Sequence, residues 1–170
     1  GAPAALCRGR STRTLGIGML ERGRYWLKVE AIWDSISIYD GPETFAAQFS
    51  QAPVVARNLF AGHWCTSEVC NGGFHQFFSN STGVLAPEAL EAFRIIGLPS
   101  FLSVLGRAMA KLGPDYPRVR STRKKALGSL RTSDTTAEEA FADLDDEFFA
   151  TWGDGWVWTD AADRYADTDA

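Results

Sequence analysis

The chain has 170 residues, 45% of them hydrophobic and 22% charged, with a formal net charge of −4. That length supports one folded unit burying about 68–70% of the surface its unfolded chain exposes, with no need of cross-links. Cys7, Cys65 and Cys70 are odd in number and widely spaced, which argues against a disulfide framework and for reduced thiols in a cytoplasm; the apolar runs fall far short of the roughly 18 residues a membrane helix needs.

The charge is segregated along the chain. From Asp134 to Ala170 twelve acidic side chains stand against one basic residue, Arg164, so this segment is near −11 and the remainder near +7. Such a dipole suits docking with a charged macromolecule.

Residues 1–22, with Arg8, Arg10, Arg13 and Arg22, show neither helical nor strand periodicity and read as a flexible basic arm or start-site extension preceding one folded unit over 23–170. From Arg24 to Tyr39 the side chains of Tyr25, Trp26, Val29, Ile32, Trp33, Ile36 and Tyr39 recur at steps of three and four, which predicts an amphipathic helix ended by Gly41-Pro42. Asp40 and Glu43 have the spacing of a capping box opening a second helix that carries Phe45 and Phe49. A third helix is expected from about Pro53, with Val55 and Leu59 inward and His63 or Trp64 beside them.

That third helix should stop at Asn71-Gly72-Gly73, where two glycines supply the positive φ that lets one helix turn sharply into the next. Immediately afterwards Phe74, Phe77 and Phe78 fall on one face of a short helix. Glu68, Asn71 and Asn80 are placed to hydrogen-bond the exposed backbone groups of the turn. After a loop from Asn80 to Gly83, Ala86-Pro87-Glu88 starts a helix with Leu90, Phe93 and Ile96 inward, stopped by Gly97. Pro99-Ser100 starts the next, with Leu102, Leu105, Met109 and Leu112 along one side up to Gly113-Pro114.

Arg118, Arg120, Arg123, Lys124, Lys125 and Arg131 surround Ala126, Leu127 and Leu130 in a short basic helix. Thr136 and Glu139 match a second capping box, and the helix they open turns Phe141, Leu144 and Phe148 inward and Glu138, Glu139, Asp143, Asp145, Asp146 and Glu147 largely outward. Gly153-Asp154-Gly155 interrupts it, Trp156-Val157-Trp158 folds back on the core, and a tail around Asp163, Asp167 and Asp169 frays. No alternating strand pattern and no internal repeat is found. The expectation is an all-α bundle of about seven helices.

Catalytic and metal chemistry find little footing. His63, Cys65, Cys70 and His75 lie within thirteen residues, but their spacing matches no common zinc site, and a helix, turn and helix would splay them apart. No metal or cofactor is therefore expected. Cys70 or Ser79 beside His75 lacks any feature that fixes a nucleophilic geometry. The basic helix invites a nucleic-acid reading, yet the acidic balance of the chain and the acidic helix that follows oppose a continuous positive footprint. Pairing of the basic segment with the acidic helix, within one molecule or across a dimer, is the plainer use. Carboxylates spaced along a rigid helix can instead stand in for phosphates in front of a protein with a basic face.

At Glu68-Val69-Cys70-Asn71-Gly72-Gly73-Phe74-His75-Gln76-Phe77-Phe78, with Asn80-Ser81-Thr82-Gly83, the chain resembles the bacterial DNA-mimic protein C-terminal domain family. Ala86-Pro87-Glu88, Ile95-Ile96-Gly97 and Leu144-Asp145-Asp146-Glu147-Phe148 extend the similarity over roughly Trp26 to Phe149. The resemblance implies an all-helical, non-enzymatic protein that binds a protein partner with a basic surface, as its acidic namesake occupies the DNA-binding face of a repressor. It implies a mainly structural role for Glu68, Asn71, Gly72, Gly73, Phe74, Gln76, Phe77, Phe78 and Asn80. The expected partner surface is Glu138, Glu139, Asp143, Asp145, Asp146 and Glu147, facing a DNA-binding regulator or a toxin, with no direct nucleic acid or membrane contact, in a monomer or dimer. Two alternatives are a toxin-neutralising protein and an enzyme with a site around Glu68 to Asn80.

Overall fold

The longest helix forms the axis of the molecule, because its apolar residues point to every side. In the computed structural model, which describes residues 23–169, the elements are α1 (Trp26–Glu30), a 3₁₀ turn (Trp33–Ser35), α2 (Pro42–Gln51), α3 (Val54–Ser79), a 3₁₀ turn (Ser81–Leu85), α4 (Ala86–Ile96), α5 (Pro99–Ala110), α6 (Arg120–Gly128), a 3₁₀ turn (Glu139–Phe141), α7 (Ala142–Trp152), α8 (Trp156–Ala166) and a 3₁₀ turn (Asp167–Asp169). The fold is all-α, with eight α-helices and no strand among the described residues, close to the expected seven. The basic arm over residues 1–22 lies outside them.

α3 touches α1, α4, α6, α7 and α8. Its buried side chains include Leu59, Phe60, Cys65, Val69, Phe74, Phe77 and Phe78, which explains its contact with so many neighbours. α8 approaches it closely: a Cβ added to Gly62 would lie 2.4 Å from the Trp158 ring, so the glycine is what admits the indole. Trp158 in turn meets Tyr25 and Phe93 edge-on, with ring centroids 5.5 and 6.1 Å away. A second aromatic group, Phe74, Phe78, Phe101, Phe141 and Phe148, fills the space below the end of α3, with Phe101 and Phe148 5.0 Å apart. Buried aromatics of this size supply much of the burial that holds such a bundle.

Several expectations are corrected. The segment from Arg24 to Tyr39 is not one helix: α1 stops at Glu30, Ile36 is extended (φ −124°, ψ 109°), and Ile36 and Ile38 are both buried. Backbone groups beyond Glu30 find partners outside a helical ladder. Ser35 Oγ donates to Ile32 O at 2.7 Å, and the Ser37 N–H donates to Gln48 Oε1 at 2.6 Å. The Asp40–Glu43 capping box does not form, because Gly41 occupies the cap position with Pro42 behind it and Asp40 lies one residue too far out. The C-terminal tail does not fray: α8 runs to Ala166, Asp163 Oδ1 accepts the Tyr25 N–H at 2.8 Å, and Asp167 pairs with Arg24 at 2.9 Å.

The stripes of α4 and α5 also shift. Leu90, Ile96 and Leu102 are half-buried, while Ala89, Ala92 and Phe93 of α4 and Phe101, Val104, Leu105 and Ala108 of α5 form the buried faces. Alanines let these two helices come close, Phe93 and Phe101 meet with ring centroids 5.4 Å apart, and Leu90, Ile96 and Leu102 sit at the margin. Leu105, Met109 and Leu112 lie inward as expected.

A candidate interaction surface beside the glycine corner

α3 is two helical arms joined at Gly72 (φ −162°, ψ 23°) and Gly73 (φ 75°, ψ −179°). Gly73 has a backbone conformation open to glycine and strained for any other residue. The corner is solid. A Cβ on Gly73 would fall 2.6 Å from Asp145 Oδ2, and the Gln76 side chain covers Gly72.

The short arm, residues 74–79, is held at both ends by side chains of other helices. At its start the Phe74 N–H donates to Asp145 Oδ1 of α7 at 2.8 Å. At its end Arg123 of α6 donates from Nε to Phe78 O and from Nη2 to Asn80 O, each at 2.9 Å, and Arg120 Nε donates to Ser79 O at 2.9 Å. Arg123 also donates to Arg118 O. A carboxylate at the amino end and guanidinium groups at the carboxyl end match the partial charges of the helix and satisfy backbone groups that a helix leaves open. Arg123 is fully buried, and backbone carbonyls alone receive its bonds. Across the corner Glu68 Oε2 accepts from Asn80 Nδ2 at 2.9 Å and from Gln76 Nε2 at 3.4 Å, tying the long arm to the short one.

These bonds correct two sequence readings. Glu68, Gln76 and Asn80 bond one another rather than the backbone of the turn, beside which Asp145 takes the Phe74 N–H, while Arg120 and Arg123 serve the far end of the short arm and Asn71 stays exposed. Nor, within the chain, does the basic segment form an ion pair with the acidic helix among the described residues. Arg118 pairs with Glu88 at 2.8 Å, and Arg120 and Arg123 are spent on the carbonyls at the end of α3.

α7 therefore carries acids of three kinds. Asp145 is turned inward onto the corner, a correction to its placement on the outer surface; burial raises its carboxyl to about 6, the Phe74 N–H opposes that rise, and Asp146 adds to it. Glu147 is paired with Arg107 of α5, which holds its carboxyl below the usual range. Asp143 and Asp146 are exposed, and among the described residues no arginine or lysine forms an ion pair with either. Glu138 and Glu139 continue this exposed edge. His75 Nδ1 lies 3.8 Å from Glu138 Oε1. The Thr136–Glu139 capping box forms as predicted: the Thr136 N–H donates to Glu139 Oε2 at 2.7 Å, and the Glu139 N–H to Thr136 Oγ1 at 3.2 Å. That box fixes the start of the acidic edge, and the hydrogen bonds from Thr136 hold the Glu139 carboxyl below its ordinary range.

The family profile for DMP19-like protein matches residues 50–168, from the last turn of α2 to the final 3₁₀ turn. The chain belongs to the DMP19-like family. No curated protein and no solved structure matches it significantly. The matched range takes in both the double-glycine corner and the Leu144-Asp145-Asp146-Glu147-Phe148 stretch, which touch through Asp145. The family is of DNA-mimic type, which points to a role in protein interaction, and it is not a known enzyme family.

The other chemistry-bearing residues of the DMP19-like chain lie apart. Cys65 and Cys70 are buried, and burial pushes the Cys65 thiol well above its ordinary value. His63 Nδ1 meets the Tyr25 hydroxyl at 3.0 Å. Among the described residues no three His, Cys, Asp or Glu side chains are grouped to hold a metal ion, and no helix is long and apolar enough to cross a membrane. Sequence reasoning missed Arg123, whose position four residues before Leu127 puts it on the apolar face of α6.

Proposed function

We propose that this DMP19-like chain is a non-enzymatic protein-interaction module whose exposed acidic edge, Glu138, Glu139, Asp143 and Asp146, docks onto a basic surface of a protein partner such as a DNA-binding regulator. The observation that carries the reading is the commitment of Arg118, Arg120 and Arg123 to Glu88 and the end of α3, with Asp143 and Asp146 outside any ion pair among the described residues. Carboxylates on a rigid rod gain affinity for such a partner as phosphates do, by neutralising charge, and they speed encounter. A filled corner favours this reading over an enzyme site between Glu68 and Asn80, since Gln76 and Asp145 occupy the space against the glycines.

The test is affinity capture from the native host with the natural chain and with an Asp143→Lys/Asp146→Lys variant. The reading expects a protein with a basic surface to be retained by the first and lost by the second, at closely similar thermal stability. Equal retention by both would refute it.

A further inference from the structure

The acidic edge borders a trough of about 480 Å³ between the end of α5 and the start of α7. Arg107 and Lys111 form one rim, Glu139 and Asp143 the other, and Ala110 and Ala140 lie between them above the buried Leu144. Both rims follow helical spacing of four residues, so each presents a pair of like charges one turn apart. The rims stay separate. Arg107 reaches past the trough to Glu147, and among the described residues no ion pair joins Lys111 to Glu139 or Asp143. A surface lined this way differs from the continuous negative rail of a nucleic acid.

We propose that this trough receives an amphipathic helix of the partner protein that carries basic side chains along one edge and an acidic side chain along the other, with small apolar residues between. This rests on the acidic edge being the docking surface and adds what the partner must look like. Glu139 and Asp143 take the basic edge, Lys111 takes the acidic one, and Ala110 with Ala140 meets the stripe of small apolar residues, the arrangement by which a helix seats in a groove. Lys111 is then the residue that sets specificity. It repels a uniformly basic helix and rewards a mixed one, so discrimination comes from a repulsive element as well as from an attractive one.

Two designed helical peptides of about 20 residues test this, long enough for five to six turns. They share one apolar stripe; one has lysines on one edge and glutamates on the other, and the second has lysines on both. Fluorescence polarisation at about 0.15 M salt, where longer-range effects are screened, measures each against the natural chain, Lys111→Glu and Asp143→Lys. The natural chain is expected to prefer the mixed peptide about tenfold or more, and Lys111→Glu to remove or invert that preference. A both-basic peptide that binds the natural chain as well as the mixed one, or a preference that Lys111→Glu leaves intact, overturns the trough. So does the absence of binding by either peptide. If Asp143→Lys weakens the both-basic peptide while Lys111→Glu leaves the ratio unchanged, the trough is wrong and the acidic edge stands; if Asp143→Lys affects neither peptide, the acidic edge itself fails.

Discussion

Replacing Gly73 by alanine tests the corner on which the acidic helix rests. At φ 75° and ψ −179° the new side chain would be strained, and its Cβ would lie 2.6 Å from Asp145 Oδ2 and 2.9 Å from Asp145 Cγ. The backbone strain costs about 1–3 kcal/mol. Displacing the Asp145 carboxylate from the Phe74 N–H costs about 1 kcal/mol more, as for the loss of a helix cap. For a chain of this length each kcal/mol moves the Tm by about 2–4 °C, so Gly73→Ala is expected to lower it by roughly 4–16 °C. Gly72 supplies the control. Its φ of −162° is open to any residue, and the atoms a Cβ would displace belong to the flexible Gln76 side chain, held at its end by one long 3.4 Å bond to Glu68, so Gly72→Ala should cost about 1 kcal/mol. Differential scanning calorimetry of both variants decides the matter, and adding Asp145→Ala to each shows how much of the loss is the clash. A Gly73→Ala protein within about 1 °C of the natural one, or a Gly72→Ala protein that loses as much, would refute the reasoning.

Removing the buried guanidinium should be severe. Arg123→Met leaves the Phe78 and Asn80 carbonyls without their donors at about 1–3 kcal/mol each, and Arg123→Lys should recover only part because an ammonium lacks the planar fork; urea unfolding checks both. Acid titration of stability should separate Asp145 from the other carboxylates. Its folded carboxyl sits at about 6, above the ordinary 3.8, so its contribution is complete below about 4 and is lost as pH rises through about 6. Glu139 and Glu147, held low, act in the opposite sense. Asp145→Asn keeps an acceptor for the Phe74 N–H without the charge, so the Tm difference between the natural chain and this variant should move against the natural chain between pH 4 and 7, as the cited carboxyl titrates. A difference that stays flat across that range would show that the carboxyl is not held as described.

Much of the scaffold was legible because it rests on local rules. A double glycine after a helical run demands a corner, three phenylalanines at helical spacing demand a buried face, and Thr136 with Glu139 demands a reciprocal cap; all three are present. The segment from Arg24 to Tyr39 misled because steps of three and four also fit a short helix followed by an extended stretch, and the main-chain N–H of Ser37 is taken by distant Gln48 rather than by a helix carbonyl. At the candidate surface the outward set was legible only in part. Leu144 and Phe148 define the inner stripe of α7, and Asp145 lies on its flank, where burial depends on what packs beside it; here that neighbour is the corner itself. Arg123 was hidden by its basic neighbours, although its spacing to Leu127 placed it on the inner face. The trough could not be read at all, since its rims come from helices far apart in the chain.

One inward carboxylate, Asp145, holds α7 against the corner while the acids Asp143, Asp146 and Glu147 stand outward. An NMR pH titration that follows the Asp145 carboxyl carbon and the Phe74 amide proton tests it most directly. The account predicts that both report one midpoint near 6, because the amide donates to that carboxyl. A Phe74 amide that is unmoved while the Asp145 carboxyl titrates in the ordinary carboxylate range would contradict it.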